Sequence, residues 1–237
     1  FLHYRFTRKG ISIWTKISFR CFYYSCFPPP LLLNCSASAS GFVSPSSLDN
    51  THHIYFGAYP QSDISGTKEG VSWRILSNET TNKQALIFAD KILYPCPFNT
   101  NDSDGNAWPT SKVRASLNGG DYVSGTYPAG ESFYEMAFKD SEKGIIKLTS
   151  IKTYKYNSSS DEVTGSPSED YVFLLDVYEI QNTDYEFSGD DDRIAKVTAY
   201  AKEKGTSVVE DIDKYYGNGD FWLRSPGEYD QTAVIVN

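Results

Sequence analysis

Short stretches of alternating apolar and polar residues run along this chain, and this period of two is typical of half-buried β-strands. The stretch 71–76 divides into two faces, with Val71, Trp73 and Ile75 on one and Ser72, Arg74 and Leu76 on the other. Residues 84–89 form a more continuous apolar run, and the polar residues 78–83 between the two runs predict a hairpin turn. We therefore expect these two strands to be adjacent and antiparallel.

The same kind of pattern predicts further strands in both halves of the chain. They cover residues 53–61, 145–151, 171–175, 221–226 and 232–236. The pair Pro226-Gly227 predicts a turn that connects the last two of these strands. Residues 157–170 are polar and rich in serine, which predicts a long surface loop.

Three stretches have helical spacing instead. Ser111 can cap a short helix through Leu117, which the following Asn-Gly-Gly sequence can stop. A second helix is predicted from Ser132 to Phe138, and a third over residues 194–201 with Gly205 as its stop signal. Short helices are therefore expected among a larger number of strands.

Length and composition favour one β-rich domain. The chain has 237 residues, 15% of them aromatic, with 18 tyrosines and a single methionine. Aromatic residues suit half-buried strands better than a helical bundle, and this length is sufficient for a sizeable core.

Charge is distributed unevenly along the chain. The net charge is −8, yet residues 1–40 hold five basic and no acidic residues, so the other 17 basic and all 30 acidic residues follow them. A nucleic acid binds to clustered Lys and Arg, and no such cluster occurs after Arg20. Nucleic acid is therefore not an expected partner.

Residues 1–40 resemble a degraded signal peptide. A basic stretch reaches Arg20, an apolar stretch covers residues 21–33, and residues 37–39 have the small-x-small form of a cleavage site. Three prolines at 28–30 interrupt the apolar stretch, so the alternative is a basic leader without a targeting function. The apolar stretch is also shorter than the roughly 20 residues that a membrane span requires. We expect export, a linker at 41–52 and a folded domain at 53–237.

Cysteine and histidine are too few for several kinds of chemistry. Cys96 is the only cysteine after residue 40, so a disulfide framework in the predicted domain is excluded. Histidine occurs only at positions 3, 52 and 53, and the usual nucleophile and metalloprotease motifs are missing. No catalytic residue and no cofactor are therefore predicted.

Several motifs keep a fixed order along the chain. They are Ile54-Tyr55-Phe56-Gly57 with Tyr59-Pro60-Gln61, Trp73-Arg74-Ile75-Leu76, Ala89-Asp90-Lys91-Ile92-Leu93 with Pro97-Phe98-Asn99, Trp108 with Ser111, Arg114 and Leu117-Asn118, Ala137-Phe138, Val172-Phe173-Leu174-Leu175, Thr198-Ala199-Tyr200-Ala201, and Trp222-Leu223-Arg224-Ser225-Pro226-Gly227. In this order the chain resembles a bacterial family known as domain of unknown function 6273, over about residues 53–237.

The resemblance implies an α+β domain with a C-type-lectin-like fold, in which mostly antiparallel, twisted sheets combine with two or three short helices. It also implies a bacterial protein that is secreted or displayed at the cell surface. It brings no catalytic residues. Members of the family usually continue beyond the strand at 232–236 into a glycine turn and a final strand, so we expect a C-terminal truncation.

An oxygen-rich stretch is the only candidate for a metal site. Asn101, Asp102 and Asp104 carry amide and carboxylate oxygens, which are the ligands that calcium prefers. The stretch lacks the spacing and the terminal glutamate of an EF-hand. A plain polar turn is the alternative.

Three other side chains are candidates for ligand binding. Trp108 and Trp222 could offer rings for stacking, with a core position as the alternative for Trp222. Arg224 lies two residues after Trp222, so it should share its face of the strand and needs a carboxylate if it is buried. Asp90 and Asp176 are the candidates for that partner.

The sequence thus favours an exported, non-enzymatic binding or interaction module, with a glycan, a peptide or a surface protein as its partner. One alternative is a carbohydrate-active hydrolase that uses a carboxylate pair, drawn from acids such as those at 190–192, 211 and 213. Another alternative is a structural spacer within a longer surface protein.

Overall fold

The computed structural model describes residues 2–6, 12–13, 16–20, 53–62, 64–79, 84–156, 163–211, 213–227 and 232–236. The strands in these ranges are β1 (Leu2–Phe6), β2 (Ser12–Ile13), β3 (Lys16–Arg20), β4 (His53–Pro60), β5 (Lys68–Glu79), β6 (Gln84–Ala89), β7 (Lys91–Ile92), β8 (Tyr94–Pro95), β9 (Gly120–Tyr122), β10 (Gly125–Tyr127), β11 (Thr149–Ile151), β12 (Ser168–Asp170), β13 (Val172–Phe173), β14 (Lys196–Val197), β15 (Phe221–Pro226) and β16 (Thr232–Val236).

The α-helices in the same ranges are short: α1 (Lys112–Asn118), α2 (Phe133–Ala137), α3 (Asp140–Lys143) and α4 (Ala199–Glu203). Six 3-10 turns accompany them at Asp102–Asp104, Trp108–Thr110, Glu179–Gln181, Thr183–Tyr185, Asp190–Arg193 and Asp213–Tyr215. The protein is therefore an α+β domain, as predicted, with four short α-helices in the described residues where two or three were expected.

One five-stranded sheet has the order β13-β3-β6-β5-β4, and all its neighbouring strands are antiparallel. Strands β5 and β6 form the hairpin that the alternating pattern predicts. The pairing register shifts between Ile75 and Ser77, which places Leu76 at a β-bulge. Leu76 is fully buried like Ile75, although simple alternation places the two on opposite faces.

The second five-stranded sheet has the order β1-β16-β15-β2-β8. Strand β15 pairs antiparallel with β16 and parallel with β2, so the predicted return of the chain after Pro226-Gly227 is confirmed. Three two-stranded pairs complete the sheets: β9 with β10 and β11 with β12 are antiparallel, and β7 with β14 is parallel.

Strands β1, β2 and β3 belong to the stretch that was expected to be a separate leader. Strand β3 lies between β6 and β13 in the first sheet, and β1 and β2 flank the β15–β16 pair in the second. The domain boundary at residue 53 stays a prediction, while residues 2–6, 12–13 and 16–20 contribute strand backbone to the two sheets. The expected cleavage site at 37–39 and the linker at 41–52 lie outside the described residues.

The helix caps follow the sequence closely. Ser111 accepts a hydrogen bond from the Arg114 backbone N–H at 3.2 Å and so begins α1, and Ser132 caps α2 in the same way. The third predicted helix starts later than expected. Residues 196–197 form β14 instead, and Thr198 caps α4.

Two predicted strands are shorter in the structure. Only residues 149–151 of the stretch 145–151 and residues 172–173 of the stretch 171–175 form strands, and Ile146 makes a single β-bridge. Leu174 and Leu175 are nevertheless buried. Of the predicted loop 157–170, residues 168–170 form β12, and residues 157–162 lie outside the described part.

The core is rich in aromatic side chains. Trp73, Trp108 and Trp222 are fully buried, together with phenylalanines at 88, 98, 133, 187 and 221. Burial of a large apolar side chain contributes roughly 1.5–3 kcal/mol, so these rings dominate the hydrophobic stabilisation. The core lies between the sheets and helices α1 and α2.

Candidate functional site

Arg224 lies at the centre of a buried ion-pair network. Its Nη2 donates to Asp176 Oδ2 at 2.7 Å and its Nη1 to Glu179 Oε2 at 2.5 Å. The remaining donors reach the backbone carbonyls of Leu174 and Lys152. Asp176 is thus the partner that the sequence suggested, whereas Asp90 is not.

The network joins strand β15, through Arg224, to residues 174–179. The Asp176 carboxylate also accepts from the backbone N–H groups of Tyr178 and Glu179, which fixes the 3-10 turn at Glu179–Gln181. Burial disfavours a charged guanidinium, but Glu179 and Asp176 outweigh that effect and hold the pKa of Arg224 above its usual value. Every donor of Arg224 is occupied within the protein, which indicates a structural role.

The rings of Trp222 and Trp108 are also engaged within the protein. Trp222 Nε1 donates to the Cys96 carbonyl at 2.9 Å, and its ring packs edge-on against Phe98. Trp108 Nε1 donates to Asp170 Oδ2 at 2.9 Å. Both rings are 0% exposed, so neither offers a face on which a ligand could stack. The core interpretation is the one that this geometry favours.

Asp170 connects Trp108 to helix α1. Its second oxygen accepts from Arg114 Nε at 2.6 Å, and Ser168 donates to the same oxygen as Trp108. Asp170 is fully buried, so a paired and hydrogen-bonded carboxylate is what its position requires. No pattern in the sequence distinguished this aspartate from the other acids.

The oxygen-rich stretch forms a capped turn. Asp104 Oδ2 accepts from the Asn101 backbone N–H at 3.0 Å, and its hydrogen bond with Ser124 is the largest of several that lower the pKa of Asp104. Asp102 lies in the same 3-10 turn and has no buried side chain beside it. Among the described residues no group of three or more His, Cys, Asp or Glu side chains could hold a metal ion.

His53 and Ser72 both contact Asp90. His53 Nδ1 lies 2.8 Å from Asp90 Oδ2, and the Ser72 hydroxyl donates to the same oxygen. A Ser-His-Asp relay requires the serine to contact the histidine. These three residues therefore do not have the geometry of a hydrolase triad.

A pocket of about 260 Å³ lies at the start of β15. Its apolar walls come from Ile194, Val209, Tyr215, Phe221 and Val236, and its polar groups from Asp190, Arg193, Asn218 and Asp220. The walls therefore belong to the last strand pair and to the two 3-10 turns at Asp190–Arg193 and Asp213–Tyr215. We call it the Asn218 pocket.

The backbone around Asn218 is held firmly. Its N–H donates to the Tyr215 carbonyl at 3.0 Å, and its carbonyl accepts from the Val209 N–H at 2.8 Å. The next residue, Gly219, has no room for a side chain, because a Cβ there would lie 2.6 Å from Val197 and 2.7 Å from the Ser207 carbonyl. The close packing of Gly219 fixes Asn218 at the pocket wall.

The side-chain amide of Asn218 is unusual because it has no hydrogen-bond partner. The residue is 5% exposed, and both Oδ1 and Nδ2 are buried without a partner. A buried polar group left unpaired costs roughly 1–3 kcal/mol, so native structures retain few of them. Asn218 lines the pocket, but these two atoms have almost no accessible surface, so a ligand can reach the amide only if the side chain turns toward the pocket.

The charged groups around the pocket are already paired. Arg193 donates to the carbonyls of Ile180 and Phe187 and, at 3.2 Å, to Asp190 Oδ1. Lys214 Nζ lies 2.7 Å from Asp191 Oδ1 and connects the two 3-10 turns across the rim. Among the described residues that line the pocket, the one basic side chain, Arg193, is thus already bonded to protein oxygens.

A second concave region, of about 470 Å³, lies between the Trp108–Thr110 turn, residues 164–167 and Pro226-Gly227. Trp108 lines it only in part, since its ring is fully buried. Within the described residues this cleft contains no buried side chain without a partner. It is a weaker candidate than the Asn218 pocket.

The sequence analysis did not identify Asn218 or Asp220. Asp190 was named only among the acids for a hydrolase pair. Asn218 stands in a Gly-Asn-Gly sequence that by itself indicates a turn. Its burial depends on contacts with residues 209 and 215, and the local pattern contains no sign of them.

No helix among the described residues is long and apolar enough to cross a membrane.

Comparison with known proteins supports the resemblance suggested by the ordered motifs. The chain matches the family described as "Domain of unknown function (DUF6273)" over residues 82–237, which is more than half of its length. Comparisons with curated proteins and with solved structures gave no match. The chain therefore belongs to the family of domains of unknown function DUF6273.

Proposed function

We propose that this protein is a non-enzymatic binding module, and that the Asn218 pocket is its ligand site. The observation that carries the proposal is that Asn218 lines an apolar pocket and has a buried side-chain amide without a partner among the described residues. A ligand that hydrogen-bonds to this amide removes the cost of leaving it unpaired. The pocket thereby gains affinity and specificity from a single side chain.

The size of the pocket limits the ligand. Sites for drug-sized molecules enclose ≈ 300–1,000 Å³. The Asn218 pocket, at about 260 Å³, falls just below that range. It suits one small molecule, or one terminal unit of a longer chain.

The charges near the pocket favour a neutral ligand. Asp190 and Asp220 line it, and each nitrogen of the Arg193 guanidinium already donates one hydrogen bond to a protein oxygen. An anion would meet these carboxylates without a free cation to balance its charge. Phosphates and carboxylates are therefore poor candidates.

A binding screen with the full chain tests this proposal. Neutral amides, nucleosides and monosaccharides are tested by ligand-observed NMR against the natural protein and against Asn218→Leu. At least one compound should bind, and the substitution should abolish its binding. The proposal fails if no compound binds, or if Asn218→Leu leaves every interaction unchanged.

A carbohydrate-active hydrolase remains the second candidate, because Asp190 and Asp220 line the same pocket. Such an enzyme needs two carboxylates at a separation of roughly 5–9.5 Å, one on each side of the scissile bond. Release of nitrophenol from aryl glycosides tests it. Turnover that Asp190→Asn and Asp220→Asn each abolish supports the hydrolase, and no turnover excludes it for those substrates.

We retain the expectation of a bacterial protein that is secreted or displayed at the cell surface, with a C-type-lectin-like fold. The acidic composition and the α+β combination of antiparallel sheets with short helices are compatible with it. A structural spacer is the competing interpretation, and the absence of any ligand would favour it.

A further inference from the structure

We infer that Tyr134 and Tyr171 form a modification site, at which a one-electron oxidant joins the two phenol rings in a dityrosine cross-link. Neither residue lines the Asn218 pocket, so the inference is independent of the proposed function. It depends on three features of the pair: the stacking of the rings, their partial exposure and the hydrogen bonds that hold their backbone.

The two rings lie closer together than those of any other tyrosine pair among the described residues. Their centroids are 4.5 Å apart and their planes differ by 12°. Tyr154 and Tyr178 instead meet edge-on at 5.5 Å, and the ring of Tyr59 lies 5.6 Å from that of Tyr94. The stacked pair is therefore the best placed for a bond between two rings.

Both stacked rings are open to a small oxidant in solution. Tyr134 and Tyr171 pack against the hydrophobic core, yet each side chain is only partly buried. Tyr59 and Tyr94, at 4% and 8% exposure, are shielded from the solvent. Exposure thus favours oxidation of the stacked pair over that buried pair.

The backbone on each side of the stack is held by hydrogen bonds. Tyr134 belongs to α2, which Ser132 caps, and the backbone N–H of Tyr171 donates to Asn118 Oδ1 at 3.0 Å. Two reacting groups that are held side by side react far more readily than the same groups free in solution. A radical on one ring therefore has its partner beside it, without the need for a second molecule.

The cross-linking reaction removes two electrons and two protons. Tyr134 starts as a neutral phenol, because burial and then the charges of Tyr171 and Glu135 raise its pKa to about 12. Each ring gives one electron to the oxidant and one proton to water, and becomes a phenoxyl radical. The two radicals form one carbon–carbon bond between positions adjacent to the oxygens. The hydrogen on each bonded carbon then moves to the oxygen as a proton, which restores both phenols.

The product fastens α2 to the residue that precedes β13. A covalent link between distant residues restricts the unfolded chain, as a disulfide does. In this chain Cys96 is the one cysteine after residue 40, so a disulfide within that part is excluded and a tyrosine link is the cross-link that its residues allow.

Photo-oxidation of the full chain tests the inference. The probe is tris(bipyridyl)ruthenium with persulfate, a small one-electron oxidant in which persulfate accepts both electrons and becomes two sulfate ions. Peptide mapping by mass spectrometry should find a linked peptide that contains Tyr134 and Tyr171 and lacks two hydrogen atoms. If this linked peptide is absent, the inference is wrong.

Conservative substitutions assign the link to the stacked pair. Tyr134→Phe and Tyr171→Phe each keep a ring in the stack but cannot form a phenoxyl radical, so each should abolish the linked peptide. Tyr154→Phe is the matched control, because Tyr154 is also partly buried and belongs to the edge-on pair, and it should leave the yield unchanged. A main product that links Tyr134 or Tyr171 to some other tyrosine would overturn the assignment.

A labelled mixture shows whether the link lies within one chain. Equal amounts of isotope-labelled and unlabelled protein are mixed and oxidised at low concentration. A link within one chain gives linked peptides that are either wholly labelled or wholly unlabelled. Half-labelled peptides as the most abundant form would show that the link joins two chains, which contradicts the inference.

Discussion

At the scale of single residues, two buried polar side chains differ in their hydrogen bonding: Arg224 in β15, and Asn218, which lies shortly before that strand. Arg224 is 3% exposed and all its donors have partners, whereas Asn218 is 5% exposed and its amide has none. A fully satisfied buried group stabilises a unique packing, and an unsatisfied one lowers stability. The contrast separates the structural residue from the candidate binding residue.

Replacement of Arg224 by methionine should destabilise the protein strongly. The change leaves the Asp176 carboxylate buried without its counter-charge, and removal of one partner from a buried ion pair typically costs ~3–5 kcal/mol. Urea unfolding followed by tryptophan fluorescence measures the loss. Lys202→Met, which removes the exposed pair with Glu210, is the control and should not measurably change the midpoint. Equal stability of the two variants would contradict the structural role of the Arg224 ion-pair network.

At the scale of elements, the junction between β4 and α2 depends on Gly57. This residue has a φ of +67°, in the left-handed region, and lies where the pairing of β4 with β5 shifts register between Tyr55 and Ala58. A Cβ at Gly57 would lie 2.5 Å from the Phe138 ring and 2.9 Å from the Ala137 carbonyl. Only glycine allows the bulge and the close approach of α2 together.

Gly57→Ala should therefore destabilise the protein by more than ~1 kcal/mol, since strained φ and steric overlap both contribute. Gly66→Ala is a matched control, because Gly66 also has a positive φ, of +91°, but a Cβ there meets nothing within 4 Å. Thermal unfolding of the two variants isolates the overlap at Gly57. A smaller loss at Gly57 than at Gly66 would show that α2 does not pack as closely as the structure indicates.

At the scale of the whole molecule, several weakly acidic groups are shielded from solvent, the Cys96 thiol fully and three tyrosines in part. Burial raises the pKa of the Cys96 thiol to about 11. Burial also raises the pKa of Tyr127, Tyr134 and Tyr185 to about 12 each. The folded state therefore holds these protons more tightly than the unfolded chain does.

Stability should consequently fall in alkaline solution. The ordinary pKa values are 9.0 for the thiol and 10.0 for the tyrosines, so the unfolded chain releases protons above pH 9 while the folded chain keeps them until about pH 11–12. Urea midpoints should be constant up to about pH 9 and then decline. Cys96→Ala should delay the onset toward pH 10. A flat profile up to pH 11 would contradict the shielding of these groups from solvent in the folded chain.

Much of the fold was predictable from local signals. Ser111 and Ser132 cap helices where the sequence placed them, and the hairpin of β5 and β6 follows from alternation and a polar turn. Errors arose where tertiary pairing overrode local spacing. Residues 196–197 fit a helix, but they pair with β7 because that backbone edge lies beside them.

The candidate site was less predictable than the fold. Arg224 and its partner Asp176 could be proposed, because a buried arginine on a strand needs a carboxylate. Glu179 was missed, since it enters the network only through the turn that Asp176 fixes. Asn218 was missed for the same kind of reason, because its environment consists of residues distant in sequence.

The sequence alone determined the β5–β6 hairpin, the last two strands, the helix caps at Ser111 and Ser132 and the ordered motifs of the family, because alternation, capping residues and motif order are local properties of the chain. The tertiary structure alone decided that residues 2–6, 12–13 and 16–20 supply strands to the two sheets and that Asn218 is buried without a partner among the described residues. Those two facts depend on which distant segments meet. Three-dimensional packing decides which strands pair and whether a buried polar group finds a hydrogen-bond partner, and a linear pattern contains neither.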